Sequence, residues 1–129
     1  MKKLFLLAGF LCLASFLFNL NAQSINNRNW QLYVGDPLND TLTLHIKSDS
    51  SFVSNSHGDV IIRTNCTVSG DTLTIEDYDS GEHSCPGTKG RYKIELKGNS
   101  FKSTMIDDGC EGRGQLLNGA TWTEAAKPR

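Results

Sequence analysis

The sequence predicts an all-β domain that closes as a small antiparallel up-and-down barrel of about eight strands. Three observations carry that expectation. Apolar and polar residues alternate with period two through most of the chain beyond residue 22. Turn-forming residues punctuate the alternation at short, regular intervals. No apolar stripe of helical spacing runs longer than a turn or two.

The first 22 residues stand apart from this pattern. Lys2 and Lys3 are followed by an almost unbroken apolar run from Leu4 to Phe18, then a short polar stretch ending at Ala22. Basic head, apolar run and small residue, in that order, form a secretory signal with cleavage expected after Ala22. The run is shorter than the roughly 20 residues a spanning helix needs. Cys12 is not read as a lipidation site, because Leu11 before it is too large for that processing. No later segment is apolar enough to cross a bilayer. Residues 1–22 are thus expected to be a cleaved signal peptide, and 23–129 the barrel domain of a secreted or periplasmic protein.

The strands are expected near residues 29–34, 41–47, 51–55, 60–64, 66–69, 72–77, 90–97 and 100–106, with a closing segment at 115–123. Whether 60–64 and 66–69 are one strand or two decides between eight and nine. Leu42, Leu44 and Ile46 share one face of their strand against Thr41, Thr43, His45 and Lys47. Leu73 and Ile75 oppose Thr72, Thr74 and Glu76 in the same way. Tyr92, Ile94 and Leu96 against Arg91, Lys93, Glu95 and Lys97 make the clearest strand of the chain. His57-Gly58-Asp59, Ser69-Gly70-Asp71, Gly98-Asn99 and Asn118-Gly119 supply the residues that tight hairpins need. Short strands joined by hairpins fit a barrel or a sandwich, and a meander that closes leaves no exposed edge. Asp77 to Gly90 is the one long irregular loop expected, and Ala125 to Arg129 a frayed tail.

Signal removal leaves roughly 107 residues, enough for one domain with a modest core, and a formal charge of about −3. Basic residues are not clustered: Arg91, Lys93 and Lys97 alternate along one strand beside Glu95. Nucleic acid is therefore excluded as an expected partner, since neutralising phosphates takes grouped Lys and Arg.

Trp30 in the first strand, the hairpin Thr67 to Ile75, Cys85, Gly90-Arg91-Tyr92, and Asp108-Gly109-Cys110-Glu111-Gly112-Arg113 leading to Leu117-Asn118-Gly119-Ala120-Thr121-Trp122 carry a family likeness. Together they resemble the lipocalin-like domain of small secreted bacterial proteins, within the calycin group of ligand-binding β-barrels. Arg28 stands where a lipocalin usually has a Gly, two residues before its Trp. No helix of the kind that follows a full lipocalin barrel is evident. The resemblance implies that Trp30 plugs the closed end and that Arg113 lies across its ring as barrel closure. Apart from the resemblance, strand direction places any small hydrophobic ligand at the end opposite Trp30, where the loop around Asp36 to Asp40 lies.

Three cysteines remain after signal removal, Cys66, Cys85 and Cys110, and their spacing alone permits three pairings. Cys85 precedes the strand at 90–97, whose hairpin partner ends just before Cys110. The meander thus brings these two to one end of neighbouring strands, so a Cys85–Cys110 disulfide is expected, with Cys66 a free thiol.

No motif marks a catalytic, cofactor or metal site. His45 lies on the polar face of a strand, and His57 and His83 lie in turns, without the close spacing of a zinc site. The Asp77, Asp79, Gly81, Glu82 loop lacks the spacing of an EF-hand. Asp107, Asp108 and Glu111 read as a second solvated acidic group. No strained elbow or Cys–His pair announces a nucleophile. The inward faces are expected to carry Leu42, Leu44, Ile46, Phe52, Leu73, Ile75, Ile94, Leu96, Phe101 and Trp122, with few polar groups for transition-state work. The expectation is a binding protein and not an enzyme. It holds either a small apolar ligand in a calyx or, with a filled barrel, another protein or a surface glycan.

Overall fold

A computed structural model describes residues 24–48 and 50–127. The signal-peptide segment expected at 1–22 lies outside the described residues. Eight strands follow one another around a closed antiparallel barrel. Among the described residues they are β1 (Asn29–Val34), β2 (Asp40–Ile46), β3 (Ser51–Ser54), β4 (Val60–Ser69), β5 (Thr72–Asp77), β6 (Lys89–Lys97), β7 (Ser100–Asp108) and β8 (Thr121–Glu124), with a short helix, α1 (Glu111–Leu117), between the last two. The stretches 60–64 and 66–69 are a single strand, so the count is eight.

Gly70 and Gly98 explain two of the hairpins. Each is the first residue of a two-residue loop, and each has a positive φ (59° and 58°) that a side chain would strain. Closure falls to β8, which pairs with β1 through Trp30↔Glu124 and Gln31↔Thr123, and with β7 from Ser100↔Thr123 to Lys102↔Thr121.

The up-and-down order gives the barrel two distinct ends. The β2–β3, β4–β5 and β6–β7 turns lie at the Trp30 end. The β1–β2, β3–β4, β5–β6 and β7–β8 connections lie at the other, here the Leu38 end.

Alternation buries Trp30, Leu44, Ile46, Leu73, Ile75, Tyr92, Ile94, Phe101 and Trp122 in one cluster, joined by Ile25 from the N-terminal side and Leu117 from α1. Phe101 meets Trp30 edge-on with ring centroids 4.8 Å apart and stacks on Trp122 at 5.9 Å. Such contacts add about 0.5–1.5 kcal/mol each beyond area burial. The interior is packed with side chains.

Phe52 departs from the expected inward set. Its cross-strand partners are His45 and Arg63, on the outer face, and it stacks on the His45 ring at 4.2 Å. Ser51 takes the inward position instead, bonding the Thr64 carbonyl at 2.8 Å and lying 2.7 Å from its hydroxyl. With Phe52 and Val53 adjacent in a strand of four residues, only the pairing decides which of them points inward.

The closing segment also differs from expectation. Residues 111–117 form α1 despite Gly112 and Gly114, because Leu117 reaches the core and Gly114 lies under Met105. A Cβ on Gly114 would stand 3.2 Å from the Met105 sulfur, so close packing there overrides glycine's low helix propensity.

Candidate functional site

Chemistry-bearing side chains gather at the Leu38 end. Asp77 closes β5 on the same inward parity as Leu73 and Ile75, and Asp108 closes β7 opposite Gly90 of β6. A Cβ at position 90 would collide with the Asp108 carboxylate, so glycine there makes the room. Arg113, on α1, reaches between the two acids. Its Nε donates to Asp108 Oδ2 at 2.7 Å and its Nη2 to Asp108 Oδ1 at 2.8 Å. Nη2 also donates to the Thr88 carbonyl at 2.7 Å, and Nη1 lies 3.2 Å from Asp77 Oδ1. Side-chain exposure is 9% for Arg113, 2% for Asp77 and nil for Asp108.

Further donors complete the cluster. The Tyr92 hydroxyl donates to Asp108 Oδ2, the Cys110 N–H to Asp108 Oδ1 at 2.8 Å, and the Cys85 N–H to Asp77 Oδ2 at 2.9 Å. Those two cysteines are joined by the Cys85–Cys110 disulfide. The bridge ties the β5–β6 loop to the start of α1, and both acids hold the backbone on either side of it.

The electrostatics follow from burial and pairing. Burial alone would raise the Asp108 carboxyl, but hydrogen bonds from Arg113, Tyr92 and the Cys110 N–H outweigh it and hold the group below its ordinary range. Burial opposes the Arg113 charge, yet Asp108 and Asp77 raise its pKa further. Burial, then Asp108, pushes the Tyr92 hydroxyl upward, so it serves as a donor. Cys66 keeps a free thiol on β4. Burial raises its pKa, only partly offset by hydrogen bonds from Ser51 and Thr64. A thiol so held is a poor nucleophile.

Trp30 is sealed by a different arginine from the one expected. The Arg28 guanidinium lies 4.4 Å from the centroid of the Trp30 ring, while Trp30 Nε1 donates to the Ile25 carbonyl at 3.0 Å. Arg28 also pairs with Glu124 of β8 at 2.6 Å and donates to the Gly98 carbonyl at 3.1 Å. Arg113 is engaged with Asp108, Asp77 and Thr88 at the opposite end, so the expected Trp30–Arg113 closure is corrected to Trp30–Arg28. The reason is topological: α1 leaves β7 at the Leu38 end, whereas β1 begins at the Trp30 end.

No family model, curated protein or solved structure matches this chain.

The surface divides the ends again. Among the described residues the exposed large apolar side chains are Tyr33, Leu38, Val60, Tyr78, Met105 and Ile106. All six stand in connections at the Leu38 end or on the strand portions leading into them. Two hollows lie at the Trp30 end instead. One is lined by Arg28, Glu124 and their neighbours, the other by Ile25, Val68, Ile94 and Leu96 together with Ser24, Asn26, Gly70 and Asp71. Both are open to solvent.

The three histidines stay apart in the fold. His45 lies on the outer face of β2 beside Phe52, with Ser54 Oγ 2.9 Å from its Nε2, while His57 and His83 lie in separate loops. Among the described residues no three His, Cys, Asp or Glu side chains are grouped to hold a metal. No described helix is long and apolar enough to cross a membrane.

Sequence reasoning missed the interior polar cluster. Asp77 and Asp108 were expected in solvated acidic groups, yet both side chains are buried. The parity that carries Leu73 and Ile75 inward, and Asp77 with them, was a signal available. Gly90 shares the inward parity of Tyr92 and was a second signal. The partner, Arg113, had none, since its place depends on three strand ends meeting.

Proposed function

We propose that this chain is an exported, non-catalytic, lipocalin-like binding module that holds its partner at the rim of the Leu38 end. The observation that carries this reading is the gathering, at one end of the barrel, of the six exposed large apolar residues found among the described residues. Scattered singly they would need no explanation; collected on one rim they form an interaction surface. Beneath them the interior is occupied, by the Arg113 cluster at this end and by aromatic rings further in. Arg113 is shared between the two carboxylates and each acid also holds a backbone N–H, which suits a fixed floor better than a reaction centre. The disulfide favours an oxidising compartment.

A second reading, a binder of one small apolar molecule, rests on the hollow beside Ile25, Val68, Ile94 and Leu96, which lies at the Trp30 end and not at the end expected from strand direction. One experiment separates the two. NMR shift mapping during titration with bis-ANS should perturb amides near Tyr33, Leu38, Tyr78 and Ile106. Shifts centred on Val68, Ile94 and Leu96 would move the site to the Trp30 end. No shifts at either place would end both readings.

A further inference from the structure

We infer that the Leu38-end rim takes a cationic polypeptide surface bearing apolar side chains. This deepens the proposed rim reading and rests on it. The charge of the barrel is split between its ends. Asp36, Asp40, Asp59, Asp79, Glu82 and Glu111 all stand in or beside the four connections at the Leu38 end. None of the six is in an ion pair among the described residues, whose pairs are Arg28–Glu124, Lys89–Glu76, Arg91–Asp107, Arg113–Asp77 and Arg113–Asp108. Their hydrogen bonds come from neutral groups: Asp36 accepts from Asn39, Asp59 from Asn55, and Asp79 from the Arg63 N–H. Among the described residues Arg63 is the cation near this end that no ion pair engages. Lys47, Lys97, Lys102 and Lys127 lie toward the opposite end and outnumber Asp71 and Glu95 there.

Acidic groups interleaved with exposed tyrosines and aliphatics call for a partner that is positive and apolar at once. Complementary potential steers such a partner to this end and fixes its orientation, while the apolar contacts hold it. The same field repels nucleic acid and anionic lipid. A second copy fits badly by either approach. Rim against rim opposes like charges, and rim against the Trp30 end sets the apolar residues on a surface that has no exposed large apolar residue among the described residues. The carboxylates span four connections around the barrel mouth, too wide a set for one small molecule, so a polypeptide surface is the occupant.

The test uses the disulfide-bonded protein and three peptides of about 16 residues, patterned Lys/Leu, Glu/Leu and Lys/Ser, read by NMR shift mapping and titration. The Lys/Leu peptide should perturb the rim amides, and its affinity should fall about tenfold between low and 0.3 M salt. Asp59→Asn with Glu82→Gln and Glu111→Gln should weaken it at least about fivefold, while Lys97→Gln with Lys102→Gln should leave it unchanged. If Glu/Leu binds the rim as well as Lys/Leu, the charge inference is overturned and the rim reading survives. If Lys/Ser binds equally, the apolar contribution is overturned. If no peptide touches the rim, both readings fall. Rim-dependent dimers in sedimentation, or rim-dependent binding to phosphatidylglycerol vesicles, would replace the polypeptide by a second copy or a membrane.

Discussion

Arg113 and Asp108 meet fork to fork, by bonds of 2.7 and 2.8 Å, at a place where the carboxylate is wholly hidden from solvent. Two parallel charge-assisted bonds fix direction as well as distance, so the pair orients α1 against the ends of β6 and β7.

Removing one partner leaves the other charged, buried and uncompensated. Arg113→Met is expected to lower stability by about 3–5 kcal/mol. Arg113→Lys should recover only part of that, because an ammonium cannot make the fork. Urea denaturation read by tryptophan fluorescence checks both; equal midpoints for the three proteins would contradict the clamp.

The Asp108 carboxyl titrates below its ordinary value when folded, so folding favours its ionised form. Its contribution is complete above the unfolded carboxylate value of about 3.9 and is lost as pH falls through the lower folded value. The melting temperature should therefore drop on acidification below about pH 4. In Asp108→Asn the drop should be shallower, from a lower starting point. Parallel slopes in both proteins would assign the acid sensitivity elsewhere.

The Cys85–Cys110 bridge closes a loop across β6 and β7 with a sequence separation of 25. The chain-entropy relation gives about 3.5 kcal/mol for a loop of this size. Cys85→Ala with Cys110→Ala should lose up to that amount and speed amide exchange in the β5–β6 loop first. Cys66 should react slowly with a thiol reagent in the folded protein and rapidly once unfolded.

Arg28 joins the Trp30 ring, Glu124 and the Gly98 carbonyl. Arg28→Ala is expected to cost about 0.5–2 kcal/mol. Arg28→Lys should restore less than half, since the flat stacking is lost. An Arg28→Ala protein with an unshifted denaturant midpoint would show that the seal adds nothing.

Period two made the barrel legible, because a strand buried on one face must alternate and a slip of one residue would expose the whole set. That held for Leu42 to Ile46, Leu73 to Ile75 and Tyr92 to Leu96. It failed at Phe52, where two adjacent apolar residues satisfy either parity. It failed for α1, because two glycines hide a helix that tertiary packing imposes. The Cys85–Cys110 pairing was legible from hairpin geometry, since neighbouring strands share an end. The arginine over Trp30 was not: Arg28 and Arg113 are both close to a closing strand in sequence, and only the direction in which α1 leaves β7 separates them.

The β1–β8 seam has a kinetic consequence. Every other ladder joins strands that are consecutive in the chain, five of them across short loops and two, β5–β6 and β7–β8, across longer connections. The seam alone joins the first strand to the last, through two residue pairs, and must wait until seven ladders have drawn its edges together. The entropy of bringing distant segments into register is thus deferred to the end of assembly, when little is left to search. On unfolding the order reverses. The Trp30↔Glu124 pairing should open first, leaving an intact curved sheet whose free edges are β1 and β8.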